Sequence, residues 1–199
     1  TTGAINAATV TTLTGTAATA NTAYASSGIS GLGNEAVTIS DTSVAASALN
    51  TLDGTTTGAV NAATVNTLTG LAADANTALT SSGISNLGNE AVTLSDTSLA
   101  ASVLNTLDGN TTGAVNASTV TTLTGLAADA NTAYASSGIS GLGNEAVTLT
   151  DTAGVALTLH TLDSNTTGSV DASTVTSVTG VSPTVITIYN SNGISGLGN

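Results

Sequence analysis

The string TTGA places its glycine at Gly3, Gly58 and Gly113, and TTGS returns it at Gly168, always at the same step and without insertion. A second marker keeps that step: GLGN at 31–34 comes back as NLGN at 86–89 and as GLGN at 141–144 and 196–199. Residues 56–110 and 111–165 agree at 42 of 55 positions, so the two segments must share one structure. The chain is therefore an array: repeat 1 (1–55), repeat 2 (56–110), repeat 3 (111–165) and a partial repeat 4 (166–199). Such short units cannot each build a separate core. They bury apolar surface by stacking on their neighbours.

Each repeat is itself divided. LAADANTAY (126–134) aligns with LAASVLNTL (99–107), so the structural unit is about half of one repeat. Within it, the strand-like EAVTLSDT (90–97) precedes apolar residues at Leu99, Val103, Leu104 and Leu107, a helical spacing. Asp96, Thr97 and Ser98 offer N-cap oxygens ahead of that stripe. Gly83, Gly109 and Gly138 stand where left-handed C-caps are expected. Strand, short helix and turn repeated in line predict an α/β solenoid with a parallel sheet on one face and short helices on the other. The alternative is an all-β right-handed parallel β-helix. Two segments favour it, because VSPTVITIY (181–189) and AGVALTLHTL (153–162) are richer in β-formers than their counterparts.

Composition removes most functional classes. The chain has no Lys or Arg and a formal net charge of −12, so it has nothing with which to neutralise nucleic-acid phosphates, clamp phosphoryl groups or approach anionic lipid. No run reaches the roughly 18 apolar residues of a membrane span, so membrane insertion is not expected. Cysteine is absent, which excludes disulfides and thiolate metal sites. The chain opens on Thr1 with no basic, apolar signal segment, and reads as a mature product or an excised piece of a longer polypeptide.

Catalysis finds little support. A nucleophilic triad needs a histidine, and His160 stands alone where earlier repeats carry Asn50 and Asn105. GISGLG (138–143) follows a helix and leads into a strand, the reverse of a phosphate loop. The acids fall into rows: Asp41, Asp96 and Asp151 before a helix, Asp53, Asp108 and Asp163 after it, and Glu35, Glu90 and Glu145 at a strand start. The two Asp rows are the candidate calcium ligands, since calcium takes six to eight oxygens. The competing assignment is helix capping for the first row and a helix-terminal turn for the second. No other cofactor is implied. Threonines two apart (Thr12 with Thr14, Thr67 with Thr69, Thr122 with Thr124) share one sheet face, with Thr38, Thr93 and Thr148 on the next strand; such an array suits solvation, self-association or ice contact. Sequons occur at Asn110, Asn116 and Asn165, as expected in so Thr-rich a chain.

The long phrase from Ala101 to Thr152 resembles the tandem repeats of very large surface proteins of marine picocyanobacteria and other aquatic bacteria, some described as haemolysin-like or motility-associated. The resemblance spans essentially the whole chain and implies an extracellular, cell-surface stalk, coat or filament. It offers no catalytic residues, and the calcium nonapeptide of many repeat-rich secreted proteins is missing here. The expectation is a structural protein, not an enzyme, whose partner is itself, end to end or laterally, with divalent cations as candidate ligands. A calcium-dependent adhesin stalk or a Thr-face ice-binding module is the alternative. No polar capping repeat closes either end, so either further repeats flank this stretch or copies stack into a filament.

Overall fold

A computed structural model describes residues 3–198. It is an α/β fold of parallel sheets and seven short helices among the described residues, with two compact units. One unit comprises Thr1–Thr93 with Asn110–Ala114. Its elements are β1 (Ile5–Asn6), β2 (Thr12–Gly15), α1 (Ala17–Tyr24), β3 (Ile29–Ser30), β4 (Ala36–Ile39), β5 (Ser43–Ala45), α2 (Ala46–Asp53), β6 (Val60–Asn61), β7 (Thr67–Gly70), α3 (Ala72–Thr80), β8 (Ile84–Ser85) and β9 (Ala91–Leu94). The other comprises Leu94–Gly109 with Val115–Asn199. It holds β10 (Ser98–Ala100), α4 (Ala101–Asn110), β11 (Val115–Asn116), β12 (Thr122–Gly125), α5 (Ala127–Ala135), β13 (Ile139–Ser140), β14 (Ala146–Leu149), β15 (Ala153–Val155), α6 (Ala156–Asn165), β16 (Val170–Asp171), β17 (Ser177–Thr179), α7 (Ser182–Tyr189) and β18 (Ile194–Ser195).

The helices overturn the all-β alternative, and they do so at the two segments that favoured it. Ala156–Asn165 and Ser182–Tyr189 are both helical. Burial explains the outcome: α6 keeps Ala156, Leu159 and Leu162 wholly buried, the same spacing as Ala101, Leu104 and Leu107 in α4. Packing overrides a modest β preference. Pro183 lies in the first turn of α7, where its missing N–H costs no helical bond.

Successive helices bury side chains of different size. α2, α4 and α6 bury leucines (Leu49 and Leu52, Leu104 and Leu107, Leu159 and Leu162), whereas α3 and α5 bury only alanines (Ala72, Ala75, Ala78; Ala127, Ala130, Ala133). α2 packs against α3, and α5 against α6. Each buried leucine contributes about 1.5–3 kcal/mol relative to exposure.

The sheet is not one surface but several staggered ones. The first unit contains the orders β1-β3, β2-β4-β6-β8 and β5-β7-β9. The second contains β10-β12-β14-β16-β18, β11-β13 and β15-β17. Helices begin at Ala17, Ala46 and Ala72, so their starts alternate between a longer and a shorter step. Strands pair at a step shorter than either, as in Thr12 with Ala36, Ser43 with Thr67 and Thr122 with Ala146. Within each unit a coil therefore slips along its neighbour by the difference between the helix step and the strand step. At about 3.3 Å per residue the mean slip is on the order of 10 Å. Equivalent positions of successive coils are staggered along the strand direction instead of superposed.

The glycines follow contact rather than the expected caps. Gly109 lies inside α4, and Gly83 and Gly138 are absent from the positive-φ residues. Among the positive-φ positions are the equivalent glycines Gly31, Gly141 and Gly196 (φ 84°, 86° and 84°), where repeat 2 carries Asn86 at φ 65°. Asparagine is the side chain best tolerated there, which explains the one variation in the GLGN marker. Gly58, Gly113 and Gly168 are fixed differently: a Cβ on any of them would drive into the backbone carbonyl of Glu35, Glu90 or Glu145.

Gly113→Ala is expected to cost about 2–3 kcal/mol in urea unfolding. Gly109→Ala, in a helix with open space around its missing Cβ, is expected to gain about 0.5–1 kcal/mol. Equal effects from the two would contradict the close approach at the TTGA glycine.

Candidate functional site

The aspartate rows bond across neighbouring coils through their carboxylates, whereas the glutamate carboxylates hold a loop of their own coil. Glu35, Glu90 and Glu145 are wholly or almost wholly buried, at 0%, 1% and 0% exposure. Glu35 Oε2 accepts from Gly33 N (2.7 Å), Asn34 N (3.1 Å) and the Tyr24 hydroxyl (3.0 Å). Glu145 repeats this with Gly143 N, Asn144 N and Tyr134. Glu90 keeps the two backbone bonds from Gly88 and Asn89, while the tyrosine position of its repeat is Leu79. The backbone of each glutamate is held as well: Thr56, Thr111 and Thr166 donate to the carbonyls of Glu35, Glu90 and Glu145 at 2.6–2.7 Å. Those threonines also accept from Gly58, Gly113 and Gly168. The TTGA marker and the glutamate marker are thus two halves of one buried joint.

Burial works to raise the Glu35 pKa, but the N–H groups of the GLGN loop and the Tyr24 hydroxyl outweigh it, and the carboxyl lies below its ordinary range. Burial pushes the Tyr24 and Tyr134 phenols up. Asp171 is lowered, chiefly by the Ser173 N–H that its Oδ1 accepts.

The first aspartate row caps helices, but not its own. Asp41 Oδ2 accepts from Ala17 N, the first residue of α1, and Asp151 Oδ2 from Ala127 N, the first residue of α5, both at 2.8 Å. The N-cap residues of α2 and α6 are Ala45 and Val155, which have no capping oxygen. Asp96 also has a bonding partner. Asp41 and Asp151 thus cap the helix of the preceding coil, and the expected capping of α4 by Asp96, Thr97 and Ser98 is corrected, because the strand that Ser98 opens runs up to Ala101, where α4 begins. The strand Ser43–Ala45 separates Asp41 from α2 in the same way.

The second row clamps the following coil. Asp53, Asp108 and Asp163 accept through Oδ2 from Ser81, Ser136 and Ser191 hydroxyls at 2.6–2.7 Å. Their Oδ1 atoms fill the space of a side chain at Gly83, Gly138 and Gly193, so glycine is required there by crowding. All six candidate calcium ligands lie in these two rows, and no group of three or more His, Cys, Asp or Glu side chains gathers among the described residues.

Between helices runs a row of amides. Asn21, Asn50, Asn105 and Asn131 each donate Nδ2 to a carbonyl of the next helix at 2.9–3.0 Å. Asn110 and Asn165 donate to Asn76 and Asn131 Oδ1, so the nitrogen that two of the three sequons would offer to a glycan is engaged. Asn116 is exposed. His160 replaces the Asn50 and Asn105 position, and its buried Nδ1 has no partner, so no carboxylate orients the ring through that nitrogen.

The threonines form short rows rather than a uniform array. Thr14 pairs with Thr38, then Asn61 and Ser85; Thr124 pairs with Thr148, then Asp171 and Ser195. The slip between coils moves each row off threonine after two strands. Sequence pattern alone placed the acids in rows but missed the Asn row and the Thr56 joint, whose only signal is their recurrence in each repeat. The chain matches no known protein family, no curated protein and no solved structure.

Asp151→Ala is expected to lose about 1 kcal/mol and to speed hydrogen exchange at the Ala127 amide, leaving α6 protected. Loss of protection at α6 instead would contradict capping across coils. Stability should be complete above the ordinary carboxylate pKa of about 4.3 and fall as pH drops through the lower folded value of Glu35. Because the raised phenols favour the neutral form, stability should also fall above the ordinary tyrosine pKa of about 10. Glu35→Gln should flatten the acid limb of a denaturation profile; an unchanged limb would place the linkage elsewhere.

Proposed function

We propose that this chain is a structural, extracellular repeat segment whose coils stack into a solenoid rod, surface coat or filament. The observation that carries this reading is that most acidic side chains and the recurring asparagines are engaged in holding loops and joining neighbouring coils. Buried glutamates hold loops, aspartates cap or clamp the adjacent coil, and asparagines bridge adjacent helices. Repetition of one joint suits a load-carrying array better than a single reaction centre. The resemblance of the 101–152 phrase to giant surface-protein repeats of aquatic bacteria supports the same reading.

Charge is consistent with a life at high ionic strength. At a net −12 with no cationic residue, carboxylates repel at long range, and salt of seawater strength shortens that repulsion to a few ångströms. Self-association is then favoured by salt. In this reading neither calcium nor a catalytic group is needed: the Asp rows serve the fold.

Cryo-electron microscopy of the protein at high salt should reveal regular fibres or rods. Thermal unfolding should be unchanged by a calcium chelator. Dispersed compact particles would contradict the filament, and a chelator-dependent drop in Tm would make the Asp rows metal ligands, because a ligand bound only by the folded state stabilises it.

A further inference from the structure

Asn192–Gly193 is the one Asn–Gly pair in the chain. Repeats 2 and 3 carry serine at the equivalent position, Ser82 and Ser137. Asn192 is exposed, as are Ser82 and Ser137, which have coils on both sides of them. An asparagine before glycine is chemically weak: the next backbone nitrogen can attack the side-chain amide, and glycine puts no Cβ in the way. Two conditions limit that attack. The nitrogen must lie beside the amide carbon, and it must lose its proton.

The second aspartate row bears on the proton. The Gly193 N–H donates to Ser191 Oγ at 3.0 Å, and the Ser191 hydroxyl donates to Asp163 Oδ2 at 2.7 Å. The proton on the Gly193 nitrogen thus has a continuous hydrogen-bonded route to a carboxylate. The same route runs from Gly83 through Ser81 to Asp53, and from Gly138 through Ser136 to Asp108. In those two coils it faces a serine, which has no amide to attack. In repeat 4 the route and the amide coincide.

We propose that Asn192–Gly193 is a self-modifying site, at which Ser191 and Asp163 draw the proton from the Gly193 nitrogen as that nitrogen closes on Asn192. The Gly193 nitrogen bonds to Asn192 Cγ, and its proton passes through Ser191 Oγ to Asp163 Oδ2. The Cγ–Nδ2 bond then breaks, and the departing nitrogen takes that proton and leaves as ammonia. Water opens the resulting cyclic imide at either carbonyl, giving aspartate or its β-linked isomer at 192. Both products disturb the joint between coils. Each adds a negative charge next to the serine that Asp163 clamps, in a chain with no Lys or Arg to offset it. The isomer also lengthens the backbone just before Gly193, whose carbonyl receives the Val170 N–H at 2.7 Å. This chemistry does not depend on assembly into a filament.

Peptide mass spectrometry of the full chain, incubated folded and in urea at neutral pH, follows the loss of ammonia at 192 and the later gain of water. The folded chain should react about tenfold or more faster than the unfolded one, because the fold assembles the proton route. Asp163→Asn, with circular dichroism to check folding, should slow the folded reaction by about tenfold or more. If Asp163 merely held the loop still, that variant would loosen the loop and react faster. Ser137→Asn decides independently of how well the first variant folds. It sets an Asn–Gly pair on the Asp108 route and should create a second site that reacts as fast as 192. A folded chain that reacts no faster than the unfolded chain overturns the proposal. So does an undiminished rate in folded Asp163→Asn, or no reaction at position 137 in Ser137→Asn.

Discussion

Two spacings that cannot both be met by simple stacking govern the structure. Parallel strands lie about 4.8 Å apart, while helices pack at about 8–10 Å between axes. A coil carrying both must curve steeply or shear. Here it shears: Thr12 pairs with Ala36 across strands, whereas the helix that starts at Ala17 is followed only at Ala46, and each coil slides along the one before it. The helices of successive coils stay in contact, as α2 with α3 and α5 with α6. The slide divides the strands into several short sheets, because a strand that slips past its neighbour's end must hand its place to the next segment.

That shear decides which side chains meet. Near the strands Asp41 reaches back to Ala17, while the wider step between helices brings Asn21 to Ala48 and Ser81 to Asp53. With no cation in the chain, the buried glutamates and the aspartates of the two rows that bond across coils are held by N–H and O–H donors instead. A carboxylate oxygen that gathers two or three such bonds can remain charged in the interior, as Glu35 does. Buried leucine and buried alanine alternate from α2 to α6.

Much of this was legible in advance. The repeat period, its division in two and the presence of strand and helix all follow from the markers and from the Leu104–Leu107 spacing. What the pattern could not supply was the register. Repetition says that Asp41, Asp96 and Asp151 do the same thing but not to which coil, and local capping rules look only a few residues ahead. The glycines show the same limit: Gly83 resembles a C-cap until the Asp53 carboxylate is found beside it. The apparent β-character of 153–162 and 181–189 misled because burial of Leu159, Leu162 and Ile188 was invisible without the neighbouring helices.

The sheared register can be tested directly, since the chain has no cysteine to interfere. Thr124 and Thr148 are in register across β12 and β14, within reach of a disulfide, whose Cα atoms lie about 4.4–6.8 Å apart. Thr124→Cys with Thr148→Cys should crosslink rapidly under mild oxidation. Thr124→Cys with Thr152→Cys, the pair that an unsheared half-repeat would superpose, should not. Preferential closure of the second pair would contradict the register on which the rest of the structure depends.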